Sequence, residues 1–271
     1  MTKGIMKNWP KISGIISDLD GVTYRGDDPI ESAVAAFKAW DGAGLPYAFV
    51  TNNSTKSAEE FADKLNKMGI PAIAERIVTT SAVAAARLSQ LLPAGARVMV
   101  IGAAALSKAV ANCGFELADK EVSAVVAGLD RAFTFDKLAK AQTEIMGGAT
   151  FIGTNPDHML PRGSSFEPGA GSILQAIQTA SGVQPIIIGK PQPDLVTMAL
   201  KILGTPPETT FMLGDQVATD IVAGHLAGLQ TILVRTGVKE KGPFAINPDF
   251  DVNTLARIPV TNSRSKGMPN G

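Results

Sequence analysis

Short apolar runs rich in β-branched residues alternate with helical patterns along almost the whole of this 271-residue chain, which limits its possible folds more than any other feature. The runs are ISGII, PYAFV, ARVMVIG, SAVVAG, ATFIGT, PIIIG, TTFMLG and QTILVRTG, each soon followed by Gly, Thr or Asp. They are apolar on successive positions, so they read as strands covered on both faces. Between them lie SAEEFADKLNKMG, TFDKLAKAQTEIMGG and DLVTMALKILG, whose apolar residues recur at helical spacing and which glycine closes. Such alternation requires parallel strands joined by crossover helices. The expected class is α/β, a doubly wound Rossmann-like core. With 45% hydrophobic residues the chain can bury one large domain or two modest ones.

In parallel sheets of this kind the functional loops lie beyond the carboxyl ends of the strands. After ISGIIS comes Asp18-Leu19-Asp20-Gly21, and after YAFV comes Thr51-Asn52-Asn53-Ser54. PIIIG leads to Lys190-Pro191, and TTFMLG leads to Asp215, with Asp220 further on in DQVATD. Two ionised acids at the end of a buried strand need solvent, a metal or a reaction. The middle strands end differently, in GLDRAF and GTNPDHMLPRG. The expected division is a core built from residues 1–82 and 184–260, with a smaller α/β unit, 83–183, inserted into it. The polar segment 261–271 reads as a disordered tail.

The motifs DLDGV, TNNS, GKP and GDQVATDI, in that order at strand ends, resemble those of the haloacid dehalogenase superfamily of phosphohydrolases. TNNS followed by GLD, TNPD, PGAGS and GKP is similar to its nitrophenylphosphatase-like branch, which carries a large α/β cap of type IIA. Any one motif is weak, but four in order around a cap-sized insertion are specific. The resemblance runs from about Ile12 to Gly237. It implies a Mg²⁺-dependent phosphatase acting on small phosphomonoesters such as sugar phosphates, phosphoglycolate-like acids, nucleoside monophosphates or pyridoxal phosphate. It implies metal ligation by Asp18, the backbone carbonyl of Asp20 and Asp215, with Asp220 opening the next helix and holding the metal or its water. From the cap loop it implies substrate contacts by Asn155, Asp157, His158 and Arg162. A homodimer is a further expectation of the branch. Thr23 and Tyr24 depart from it, standing where Leu or Ile and a polar residue are common.

The chemistry these residues can perform stands beside the resemblance. An ordinary aspartate has a pKa of about 3.9 and is an ionised nucleophile at neutral pH. Asp18 takes that role. Side chains two residues apart on a strand point the same way, so Asp20 is placed to protonate the leaving group and then deprotonate water. Lys190 supplies a positive charge to phosphate and nucleophile. The Thr51 hydroxyl and the Asn52 backbone N–H are donors for phosphate oxygens, and Asn53 is expected to bind phosphate with them. Mg²⁺ suits an all-oxygen site with few protein ligands.

The remaining features mostly exclude. The formal net charge is zero and aromatics are 6%, which argues against nucleic-acid partners and an anionic membrane surface. No run reaches the length of a membrane span, and the first residues do not read as a signal peptide. The single cysteine, Cys113, fits a reducing compartment, so a cytoplasmic location is expected. IIIGKPQ is not a phosphate-binding Walker loop, because Pro191 stands where Ser or Thr is needed. The acid at Asp20 argues against hydrolytic dehalogenases, which lack one there. The alternative reading is a phosphate-receiving signalling or ligand-binding module of similar fold without turnover.

Overall fold

The computed structural model describes residues 9–162, 165–237, 242–244 and 246–259. The expected tail at 261–271 lies outside the described residues. The chain opens with strand β1 (Gly14–Asp18) and the small hairpin β2 (Tyr24–Arg25) and β3 (Asp28–Pro29). Helix α1 (Glu31–Ala43), β4 (Tyr47–Thr51), α2 (Ala58–Lys67) and β5 (Ile77–Thr79) follow. Next come α3 (Thr80–Leu91), β6 (Arg97–Ile101), α4 (Ala104–Asn112), β7 (Glu116–Leu117), β8 (Ala124–Ala127) and α5 (Phe135–Met146). After these lie β9 (Thr150–Gly153), the hairpin β10 (Met159–Arg162) and β11 (Ser165–Pro168), α6 (Ala170–Ser181) and β12 (Ile186–Ile187). The chain then runs through α7 (Asp194–Leu203), β13 (Thr210–Gly214), α8 (Val222–Leu226), β14 (Gln230–Val234) and β15 (Phe250–Val252).

Two parallel sheets result. The first has the order β15-β14-β13-β1-β4-β5. The second, made wholly from the middle of the chain, has the order β12-β9-β8-β6-β7. The sequence reading puts an edge at residue 83, which falls inside α3, and another at 183, ahead of β12. Ile186–Ile187 pairs with β9, so the strand leading to Lys190 belongs to the second sheet rather than to the core's second part.

Burial explains why each element formed. All five residues of β1, β4 and β13 are buried, as expected for central strands covered on both sides. In α1 the buried residues are Ala33, Ala36, Phe37 and Trp40, one helical stripe. Phe37 meets Trp40, Tyr47 and Phe49 with ring centroids 4.8, 5.2 and 5.0 Å away. A second apolar cluster runs without a break from Ile16, Val50 and Met212 of the first sheet, through Leu195 and Ala199 of α7, to Val98, Val126 and Ile152 of the second. Helices α5 and α6 cover the other face of the second sheet through Ile145, Leu174 and Ile177. Among the described residues no helix is long and apolar enough to cross a membrane.

Candidate active site

The order of the first sheet locates the site. From β1 the chain first builds outward to β4 and β5, and after the insertion it returns to build β13, β14 and β15 on the other side. The order therefore reverses at β1, and a crevice opens beyond its carboxyl end. Register fixes what enters the crevice. Asp18 lies beside Val50 and Ser17 beside Leu213, so Thr51 and Asp215 emerge at the same edge as Asp18.

Asp18, Asp215 and Asp220 are all buried, and they offer carboxylate oxygens within 4.8 Å of one another. The sequence reading has Asp220 opening a helix. Instead it sits within a π-turn, Val217–Ile221, ahead of α8. The wider turn lets its Oδ2 reach back and accept the backbone N–H groups of Asp215 and Gln216, both at 3.1 Å. Its Oδ1 accepts from Lys190 Nζ at 2.7 Å. Lys190 Nζ also donates to Asp18 Oδ1. Lys190 is 3% exposed, so one buried ammonium pairs with two of the three buried carboxylates.

This charge balance shows in the ionisation. Burial pushes the Asp18 carboxyl well above the usual range; Lys190 pulls it down, while Asp220 and Asp215 push it further up. For Lys190 burial acts downward, but Asp18 and Asp220 outweigh it and hold the ammonium above the usual lysine range. Three close carboxylates with a single ammonium form an all-oxygen donor set suited to a hard divalent cation.

Strand β1 ends at Asp18; of the next two residues Leu19 is buried and Asp20 reaches the surface. Protein packed around the Asp20 carboxyl still raises it above the usual range, against the pull of Lys64, the Tyr24 hydroxyl and Lys190. Tyr24 is buried, and its hydroxyl donates a long 3.4 Å hydrogen bond to Asp20 Oδ2. Lys64 Nζ sits 3.8 Å from the Tyr24 ring centroid and donates to the Gly26 carbonyl at 2.7 Å. The departure at Thr23 and Tyr24 thus builds the floor of a small flap. The Thr23 hydroxyl closes it by donating to the Leu19 carbonyl at 2.7 Å.

Gly21 turns the chain between Asp20 and that flap. Its φ is +81°, and a Cβ there would stand 2.4 Å from Asp215 Oδ2. Gly21→Ala is expected to cost about 1 kcal/mol or more from the backbone alone and to displace Asp215 as well. Thermal unfolding should show the loss.

The remaining residues divide. Thr51 is buried, and its Oγ1 accepts the Asn53 N–H at 3.1 Å, which leaves the hydroxyl proton free to donate. The Asn53 side chain serves its own loop, its Oδ1 accepting the Thr55 N–H at 2.8 Å. Asn52 is used through its side chain: Oδ1 accepts the Lys190 N–H at 2.8 Å, and Nδ2 donates to the Lys190 carbonyl at 3.0 Å. The sequence reading saw only its backbone N–H, and no local signal marks a partner 138 residues away. From the inserted unit, Asn155 Nδ2 donates to the Asn52 carbonyl at 2.7 Å, and Asp157 Oδ2 accepts from Asn52 Nδ2 at 3.2 Å. His158 is exposed. Arg162 lies at the end of β10, and its side chain is outside the described residues. Elsewhere, His225 on α8 and Cys113 are exposed.

Comparison with known proteins identifies the family. A family model described as haloacid dehalogenase-like hydrolase matches residues 15–116, and a related HAD-hydrolase-like model matches residues 187–258. The 5'-nucleotidase YutF of Bacillus subtilis is 40% identical over 228 residues, 84% of this chain and 89% of that protein. An acid sugar phosphatase of Staphylococcus saprophyticus is 40% identical over 237 residues, 87% of this chain and 90% of that one. A crystal structure of a double mutant thermostable NPPase from Geobacillus stearothermophilus superposes with a TM-score of 0.86 at 39% identity, covering 91% of this chain and 97% of that one. A glycerol phosphate phosphatase from Mycobacterium tuberculosis in complex with magnesium gives a TM-score of 0.84 at 32% identity, covering 91% and 76%.

Proposed function

The chain belongs to the haloacid dehalogenase-like hydrolases, and from that premise we propose that it is a Mg²⁺-dependent phosphatase of small phosphomonoesters, working through an aspartyl-phosphate on Asp18. The observation that carries the reading is the buried set of Asp18, Asp215 and Asp220, with the Lys190 ammonium paired to Asp18 and Asp220. Asp18, the Asp20 carbonyl, Asp215 and Asp220 would hold the metal. When bound, Mg²⁺ supplies positive charge to the phosphate oxygens in a site otherwise dominated by carboxylates.

The protein's own groups do the rest. Lys190 neutralises part of the charge on the incoming phosphate and keeps an Asp18 oxygen in place. The Thr51 hydroxyl and Asn52 N–H donate to phosphate oxygens. Asp18 attacks phosphorus, and the bond to the leaving oxygen breaks while Asp20 gives that oxygen a proton. Asp20, now ionised, takes a proton from a water molecule. That water attacks phosphorus, releasing inorganic phosphate and restoring Asp18. The raised carboxyl of Asp20 is consistent with a group that must first carry the proton. A phosphate-receiving module has no use for this second acid, so the turnover reading is preferred.

The named activities of the relatives, on nucleotides, sugar phosphates and glycerol phosphate, support small esters as the substrate class. The test is phosphate release from a panel of nucleoside monophosphates, sugar phosphates, glycerol phosphate and p-nitrophenyl phosphate. Release is expected with Mg²⁺, with a loss of about 100-fold or more on chelation and recovery on adding Mg²⁺ back. No release from any ester, or release indifferent to chelation, would count against the proposal.

A further inference from the structure

We infer that the Asn52 side chain is a positioning residue: it fixes the backbone of Lys190, and so its ammonium beside Asp18, and ties that placement to the inserted unit through Asp157. The inference rests on the phosphatase reading, because it assigns how that site is held together.

One planar amide engages both backbone groups of one residue. Its Oδ1 accepts the Lys190 N–H at 2.8 Å, and its Nδ2 donates to the Lys190 carbonyl at 3.0 Å. This is the pairing an adjacent strand would provide, at a place where no strand runs. The same Nδ2 donates to Asp157 Oδ2 at 3.2 Å. The carbonyl of Asn52 meanwhile accepts from Thr80 Oγ1 at 3.0 Å and from Asn155 Nδ2 at 2.7 Å. Four segments therefore meet on one residue: the loop after β4, the start of α3, the loop after β9, and the return from β12.

The neighbouring backbone is shaped for this contact. A Cβ on Gly189 would stand 2.7 Å from Asn52 Oδ1 and 2.5 Å from the Thr154 carbonyl. A side chain at 189 would crowd the Asn52 amide and the Thr154 backbone alike. Aspartate at 52 lacks the donor and would set a second acid beside Asp157. The placement matters because lysine is long and rotatable, and only its tip is held by Asp18 and Asp220. Misplacing a catalytic group by about 1 Å can cost about 100-fold in rate. Substituting Asn52 leaves its backbone N–H intact, so the loss reports the side chain.

The test is a double-mutant cycle of Asn52→Ala and Lys190→Ala. It is read as kcat and KM on p-nitrophenyl phosphate and, independently of turnover, as affinity for inorganic phosphate with Mg²⁺ by calorimetry. Asn52→Ala is expected to lower kcat/KM by about 10- to 100-fold. In the Lys190→Ala background the same change should cost less than about twofold, in rate and in phosphate affinity alike. Gly189→Ala should reproduce the loss from the other side of the contact. If Asn52→Ala does not fold, Asn52→Ser and Gly189→Ala carry the same cycle. Equal losses in both backgrounds, or activity within about twofold of the parent, would overturn the inference alone. A parent protein that neither releases nor binds phosphate would overturn the phosphatase reading, and this inference with it.

Discussion

Asp18→Asn is expected to lower phosphate release by about 10⁴-fold or more while leaving the metal-free protein as stable as its parent, or more stable. The rate falls because an amide cannot displace the leaving oxygen. The stability follows from charge. Burial holds the Asp18 carboxyl well above the usual range, and Asp220 and Asp215 add to the shift. The folded state therefore binds this proton more tightly than the unfolded chain does. Below the ordinary aspartate pKa of about 3.9 both states are protonated, and nothing is lost. As pH rises towards the folded value, the cost of an ionised Asp18 appears, and it is present in full above that value. Asn removes that cost and can still accept a hydrogen bond from Lys190, whose countercharge then rests on Asp220. Urea unfolding without metal should show the variant's stability relative to its parent falling on acidification. A variant with near-parental turnover would remove Asp18 from the mechanism.

Asp220→Ala is expected to behave in the opposite way, although the residue belongs to the same cluster. Its two oxygens do separate work: Oδ1 accepts from Lys190 Nζ at 2.7 Å, and Oδ2 accepts the N–H groups of Asp215 and Gln216 at 3.1 Å each. Alanine would leave those donors without this acceptor and reduce the countercharge on a lysine that is 3% exposed. Each lost partner costs about 1–3 kcal/mol, and breaking a buried ion pair about 3–5, so a loss of about 3 kcal/mol or more is expected. Asn should be milder than Ala, since one oxygen can still serve the turn, but its NH₂ then faces the ammonium. Urea midpoints of the two variants test the ranking. If Asp220→Ala stays within about 1 kcal/mol of the parent, the turn is held by something else.

What could be read along the chain were properties settled by local pattern. Consecutive apolar positions mark strands covered on both faces, so β1, β4, β8, β13 and β14 were legible. Apolar residues at helical spacing marked α2, α5 and α7 in the same way. Since parallel sheets place their loops at one end, the acids, threonine and lysine after those runs could be named as chemistry-bearing. The two-residue strands β2, β3 and β7 show no period, and pairing with a neighbouring strand made them strands.

Which of those residues meet was decided elsewhere. Asp18, Asp215 and Asp220 converge because the strand order reverses at β1, a property of the whole sheet. The strand before Lys190 reads like any core strand, yet it pairs with β9 in the second sheet. Asp220 reaches back to Asp215 because the turn there widened to a π form. The amide of Asn52 reads as part of a loop motif, but its contacts with Lys190 and Asp157 bridge residues 138 and 105 apart. Local pattern reflects which surfaces a segment must bury and which backbone groups it can satisfy by itself. Contacts between distant segments depend on where the whole fold brings those segments, so only the tertiary structure could assign them.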